Sequence, residues 1–143
     1  MPRKKKKPEG ELSDTMIAAL KMRRDITWLD GPDDSYLPPP AAAHGEPWAI
    51  MWRQNSGLAI VGRGSAKRAI KLGPAGLPDI CGIAWPSGRS GEFEIKLPSH
   101  TSQLNANQKR MIPLLRAVGA FVAVVRTLPD LNAAVDAWLR GER

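Results

Sequence analysis

GLPDICGIAWPSGRSGEFEIKLP, residues 76–98, is the stretch from which the fold of this chain can be read. Two strand-like runs, LPDICGIAW and GEFEIKL, flank the turn-forming PSGRSG, so the segment predicts a β-hairpin. Side chains alternate between the two faces of a strand. Phe93, Ile95 and Leu97 therefore share one face of the second strand, and Glu92, Glu94 and Lys96 share the other. Folding the hairpin about Pro86 and Ser87 sets Asp79 opposite Glu94, with Cβ atoms about 5 Å apart. A bulge at Gly82 would shift that register.

Two carboxylates so close raise one pKa of the pair or destabilise the strand pair, unless a divalent cation lies between them. Carboxylate oxygens suit Mg²⁺ or Mn²⁺ rather than zinc. The backbone carbonyl of Ile95 can add a further oxygen. Lys96, on the face of Glu94, can steady an attacking water, lower its pKa or balance charge on a phosphate. Glu92 points the same way one pleat along and reads as a supporting group. The competing reading is a solvated sheet face with a Glu–Lys pair, which is what a generic E-x-K stretch is. The Pro-Asp dipeptide on the paired strand, and the helix that follows, favour a site.

That helix is predicted over residues 104–118, closed by Gly119. Leu104, Gln108, Met111, Leu115 and Val118 form one stripe at helical spacing, and Gln108 is its only polar member. Gln108 either points across the sheet at the carboxylates or bonds to backbone near the helix start; both readings stay open. Pro113 should bend the helix or mark a late start. FVAVV, residues 121–125, reads as a strand covered on both faces. Pro129 opens a last helix at its first position, with Leu131, Ala134, Val135 and Trp138 on one face. Glu92 to Arg126 is thus a strand–helix–strand unit with parallel strands and a right-handed crossover. The fold class expected is α/β, a mixed central β-sheet flanked by helices.

Upstream, residues 1–10 read as a basic disordered arm, and residues 11–143 as a single domain. A helix is expected over 13–24 with Ser13 as N-cap. A proline-rich insertion is expected at about 29–47, a strand at 49–54, a glycine-rich turn at 55–65 and an edge strand at 66–72.

The 143 residues are enough to bury a core, and 43% apolar composition is that of a folded chain. No apolar run nears the roughly 18 residues that span a membrane, and no apolar stretch follows the basic start as in a signal peptide. Cys81 is the single cysteine, so an internal disulfide and a cysteine-rich zinc site are both excluded, and a reducing cytosol fits. Arg3 and Lys4 to Lys7 supply five units of the net charge of +7, leaving +2 for the rest. RKKKK is either a solvated tail or an arm on phosphates. From Pro47 to Pro78 there is no acid, while Arg53, Arg63, Lys67, Arg68 and Lys71 are basic, a field suited to a polyanion. His44 and His100 sit in loop-like contexts and no G-x-S-x-G elbow exists, which argues against a Ser/His hydrolase.

Asp79 followed by Glu94-Ile95-Lys96 resembles the signature of the PD-(D/E)xK nuclease superfamily, and most closely its VRR-NUC group, the virus-type replication-repair nuclease domain. The resemblance runs from about Met51 to Val125: WRQNSG at 52–57, GLPDI at 76–80, EFEIK at 92–96, L-x-x-x-Q at 104–108 and the GAFVAVV strand. It implies a restriction-endonuclease-like core and a metal-dependent phosphodiesterase acting on DNA, with branched or flapped substrates in replication and repair. Asp79 and Glu94 would be metal ligands, Lys96 the catalytic lysine and Gln108 the helix glutamine. Arg53 and Asn55 would lie near DNA, and Lys67 and Arg68 would hold flanking phosphates. Short stand-alone members of this kind occur in phages and prophages, which implies a bacterial or infected-host cytoplasm and admits a homodimer. The family places a glutamate on the first helix near the metal; here Glu11 is the candidate, with Asp14 as the alternative. The competing class is a DNA-binding or assembly module that keeps the nuclease fold without catalysis.

Overall fold

A computed structural model describes residues 7–30, 36–54, 58–71, 73–99 and 103–142. The elements run α1 (Pro8–Lys21), β1 (Ile26–Leu29), β2 (Trp48–Arg53), β3 (Leu58–Val61), β4 (Arg68–Lys71), β5 (Ile80–Trp85), β6 (Ser90–Ile95), α2 (Ala106–Ala117), β7 (Phe121–Val125) and α3 (Leu128–Leu139). Five strands form the main sheet in the order β1-β2-β5-β6-β7, and β3 and β4 form a sheet of their own. The β1/β2 and β6/β7 pairs are parallel, and the β2/β5 and β5/β6 pairs are antiparallel. The fold is therefore α/β with a mixed sheet between helices.

The β5–β6 hairpin keeps the register read from its symmetry. Ile80 faces Phe93, Cys81 faces Glu92 and Gly82 faces Gly91. No bulge interrupts it at Gly82. That glycine has a different role, shared with Gly91. A Cβ on Gly91 would lie 2.4 Å from Trp138 Cε2, and one on Gly82 would lie 2.9 Å from Trp138 Cη2. The cross-strand glycine pair is thus a slot in the sheet surface that receives the Trp138 indole. Its Nε1–H donates to the Arg89 carbonyl at 3.1 Å, and its ring meets Phe93 edge-on at 5.5 Å between centroids.

The main core lies on this face, under α1 and α3, and joins Met16, Leu20, Met51, Phe93, Ile95, Leu131, Val135 and Trp138. α2 covers the β6–β7 half of the opposite face through Ile112, Ala120 and Val122. FVAVV is apolar throughout because it is sandwiched between these two layers. Arg23 ties the α1–β1 corner to α3. Its guanidinium makes two bonds of 2.8 Å to Asp25 and one of 2.6 Å to Asp136.

Several boundaries differ from expectation. α1 starts at Pro8, since proline's fixed φ suits the first helical position, and Ser13 sits in the helix interior without capping it. The expected arm at 1–10 thus loses Pro8, Glu9 and Gly10 to this helix; residues 1–6 lie outside the described residues. The helix ends at Lys21, making room for β1, a four-residue strand that was not expected. The proline-rich stretch contains a 3₁₀ turn, Pro40–His44, closed by Gly45 at φ 65°. The expected turn at 55–65 holds strand β3, and the expected edge strand at 66–72 pairs with β3 instead of the main sheet. In and just before α2, Gln108 is buried and Leu104 and Leu115 pack inward as the stripe predicts, joined by Ile112, whereas Val118 is 83% exposed at the C-cap, past the last helical turn. Pro129 occupies the second helical position, after Thr127 caps and Leu128 begins α3. No helix among the described residues is long and apolar enough to cross a membrane.

Candidate active site

On the α2 side of the sheet, Glu92, Glu94 and Lys96 are all buried, although they alternate with core residues on an otherwise ordinary strand. Glu94 is the deepest, at 2% exposed. Its Oε1 accepts from Gln108 Nε2 at 2.6 Å and lies 3.5 Å from Lys96 Nζ. Its Oε2 is buried without a hydrogen-bond partner.

Each neighbour is held in place by backbone. Asp79 precedes β5 by one residue and continues its register toward Glu94. Its Oδ2 accepts from the Ile95 N–H at 2.8 Å, and its own carbonyl accepts from the Gln54 N–H at 2.8 Å. In an extended strand a residue's N–H and C=O face the same side, so the Ile95 carbonyl faces the Asp79 side as well. Lys96 is fixed by its N–H, which donates to the Val125 carbonyl at 3.0 Å.

Gln108 realises both readings open to it. Asn105 caps α2 by accepting from the Gln108 N–H at 2.9 Å, and Gln108 Oε1 accepts from the Asn105 N–H at 2.9 Å. This is a reciprocal capping box. The carbonyl half of the amide is thus used by the helix start, leaving the NH₂ half to point at Glu94. The N-x-x-Q spacing at 105–108 was the signal in the sequence for this arrangement. Gly76 brings the Asp79 loop against the same turn. At φ 89°, a Cβ there would sit 2.4 Å from the Asn107 carbonyl oxygen, so only glycine lets the loop approach α2 this closely.

The electrostatics follow from burial. Desolvation, with the Asp79 charge next, pushes the Glu94 carboxyl up to about 8, against the opposing pull of Lys96. Burial also raises Glu92, which Ser90 Oγ contacts at 3.2 Å and whose Oε2 has no partner. Burial, aided by Glu92 across the strand pair, pushes the Cys81 thiol up to about 12, so it stays protonated.

The other expected residues divide. Arg53 faces Ile80 across the sheet, beside Asp79, and pairs with Asp14 at 3.3 Å. A cavity of about 510 Å³ opens there between α1 and the ends of β1 and β2, with Trp28, Trp52 and Arg53 in its lining. Lys67 and Arg68 are exposed at and beside the start of β4, in the β3–β4 hairpin. Asn55 and His100 lie outside the described residues, and His44 is exposed. Glu11 is exposed on α1, the helix that packs on the opposite sheet face. Among the described residues no three of His, Cys, Asp or Glu gather as a metal group, so Glu11 does not join Asp79 and Glu94.

The donor set still fits a small hard cation. Mg²⁺ keeps several waters and commonly takes one or two carboxylates together with substrate phosphate. A buried, unpartnered carboxylate oxygen in contact with a second carboxylate is the kind of group such a cation satisfies.

Gln108→Ala is expected to cost about 1–2 kcal/mol, from half of the capping box and the bond to Glu94. Denaturant melts check this. Gln108→Glu keeps an oxygen for the Asn105 N–H but turns a carboxylate toward Glu94. Near-normal α2 capping with a further raised Glu94 carboxyl is the expected pattern for that variant.

Comparisons with protein-family models, with curated proteins and with solved structures find no match for this chain.

Proposed function

We propose that this chain is a Mg²⁺- or Mn²⁺-dependent DNA nuclease of the PD-(D/E)xK kind, similar to the VRR-NUC group and acting in the cytoplasm. The observation that carries the reading is Glu94, buried among Asp79, Lys96 and Gln108 with Oε2 unpartnered. A buried carboxylate in that state is costly in a purely structural site and useful in a catalytic one.

Asp79, Glu94 and the Ile95 carbonyl would hold the cation, which supplies Lewis acidity toward a phosphate oxygen and lowers the pKa of water. Lys96 presents its ammonium beside Glu94, where it orients the attacking water and stabilises negative charge growing on the phosphate oxygens. Gln108 is a positioning residue, since its amide fixes which Glu94 oxygen stays unpartnered. Ile95 positions Asp79 by donating its N–H to Oδ2. Arg53, beside Asp79 at the sheet end, offers a cation for a neighbouring phosphate.

A second reading, a DNA-binding module without catalysis, has one observation in its favour: among the described residues, no third acid joins the pair. Incubation of labelled plasmid, flap and four-way-junction DNA with Mg²⁺, Mn²⁺ or EDTA separates the two. Cleavage that requires the cation is expected, with flap or junction cut faster than plain duplex. DNA binding without cleavage in any cation would favour the second reading.

A further inference from the structure

Within the acid-free stretch between Pro47 and Pro78, β2 belongs to the main sheet, whereas β3 and β4 stand apart from it. β3 and β4 pair with each other, from Leu58↔Lys71 to Val61↔Arg68, and share no ladder with the main sheet. From Ile60 to Ile70 every residue is exposed except half-buried Val61, and Ile60 is 66% exposed. Arg63, Lys67 and Arg68 form no ion pair among the described residues. A two-stranded hairpin alone is marginal in water, and no residue from Ile60 to Ile70 is fully buried here. With Lys71 it carries four cations and no acid, which makes a polyanion the matching partner.

Topology fixes where this hairpin stands. It is the connection between β2 and β5. β2 ends at Arg53 and β5 begins at Ile80, and these two residues are register partners. The hairpin therefore leaves the sheet at the end where Asp79 sits, and Gly76 pins its return path against α2. Its tip is narrow. Gly62, at φ 87°, packs so close that a Cβ would meet the Ala66 carbonyl oxygen at 2.4 Å. Paired strands lie about 5 Å apart, and the major groove of DNA, about 12 Å wide, admits such a two-stranded ribbon.

Resting on the nuclease reading for its substrate class, we propose that the β3–β4 hairpin is a DNA-binding arm. It enters the major groove of the duplex next to the scissile phosphate, with Arg63, Lys67 and Arg68 contacting backbone and base edges. The substrate is then a nucleic acid with an intact duplex on one side of the cut, and the hairpin sets the distance from that duplex to Asp79.

The test is binding of the full chain to a fluorescent flap DNA in EDTA, so that cleavage plays no part. Salt dependence is measured for wild type, for the Arg63→Gln/Lys67→Gln/Arg68→Gln variant and for Arg63→Glu alone, with thermal melts as the fold control. The triple variant is expected to lower the slope of log K against log salt by roughly two to three. Wild type is expected to protect guanine N7 atoms of the duplex arm from methylation, and the variants to lose that protection. An unchanged slope, or a wild-type complex with no N7 protection, would overturn the proposal. Binding with N7 protection but no cleavage in Mg²⁺ would sink the nuclease reading and leave the arm standing. Absence of DNA binding would overturn both.

Discussion

Glu94→Gln is expected to melt at a higher temperature than wild type in the absence of divalent cations, to lose its response to Mg²⁺, and to lose cleavage. The first effect follows from the cost of ionising Glu94. Its carboxyl titrates near 4.5 when unfolded and at about 8 in the fold, raised by burial and by Asp79. Between those values the folded state binds the extra proton, so stability falls as pH rises through the window. Glu92, raised by burial, acts in the same direction. A neutral amide removes the penalty at position 94. Its NH₂ can donate where Glu94 Oε2 now has no partner, and its oxygen can still accept from Gln108. A gain of roughly 1–3 kcal/mol near pH 8 is expected, shrinking toward acid pH. Mg²⁺ should do for wild type what the substitution does for the variant, raising the melting temperature by roughly 5 °C at saturating cation and by less at acid pH. The variant should show no such rise, with cleavage reduced ~10³-fold or more. Melts over pH, with and without Mg²⁺, read all of this. Destabilisation by Glu94→Gln in cation-free buffer would contradict it.

Trp138→Ala is expected to be the most damaging single core substitution, at about 3–5 kcal/mol. The indole is fully buried, fills the slot over Gly82 and Gly91, meets Phe93 edge-on and is bonded to Arg89. Removing it leaves a cavity bounded by rigid sheet backbone, which cannot collapse. A loss of that size is a large share of the roughly 5–15 kcal/mol that holds an ordinary domain. Gly91→Ala attacks the same contact from the other side, because its Cβ would lie 2.4 Å from the indole. The double variant Gly91→Ala/Trp138→Leu should therefore cost less than the sum of the singles, since a smaller side chain tolerates the added methyl. Urea unfolding of the four proteins checks the coupling; strict additivity would mean that the slot does not carry the packing.

The sequence made some of this legible and left some hidden, for physical reasons. Hairpin register was readable because strand side chains alternate with a period of two and PSGRSG marks the centre of symmetry. That put Glu94 and Lys96 on the face opposite Phe93 and Ile95, and Asp79 at the end of the ladder. Gln108 stood out as one polar residue in an apolar stripe. β1 was hidden because ITWL is short and carries no alternation. Ser13 looks like a cap and so hides the true start of α1, where Pro8 begins the helix through its backbone. Gly82 suggests a bulge, although a Cβ there would meet the Ile50 carbonyl oxygen at 2.4 Å and the Trp138 ring at 2.9 Å, long-range contacts that no local pattern encodes. Glu11 was placed by family resemblance alone; α1 packs on the other side of the sheet, and nothing in the helix pattern directs Glu11 to the carboxylates.

The measurement that bears most directly on the nuclease proposal is single-turnover cleavage of flap DNA by wild type and by Lys96→Ala, in Mg²⁺ and in EDTA. Both proteins should melt cooperatively and bind the DNA in EDTA. Cleavage by wild type in Mg²⁺ only, with the variant slower by ~10³-fold, is the predicted result. Equal cleavage by the two proteins, or cleavage that persists in EDTA, would contradict a metal-assisted reaction at Asp79, Glu94 and Lys96.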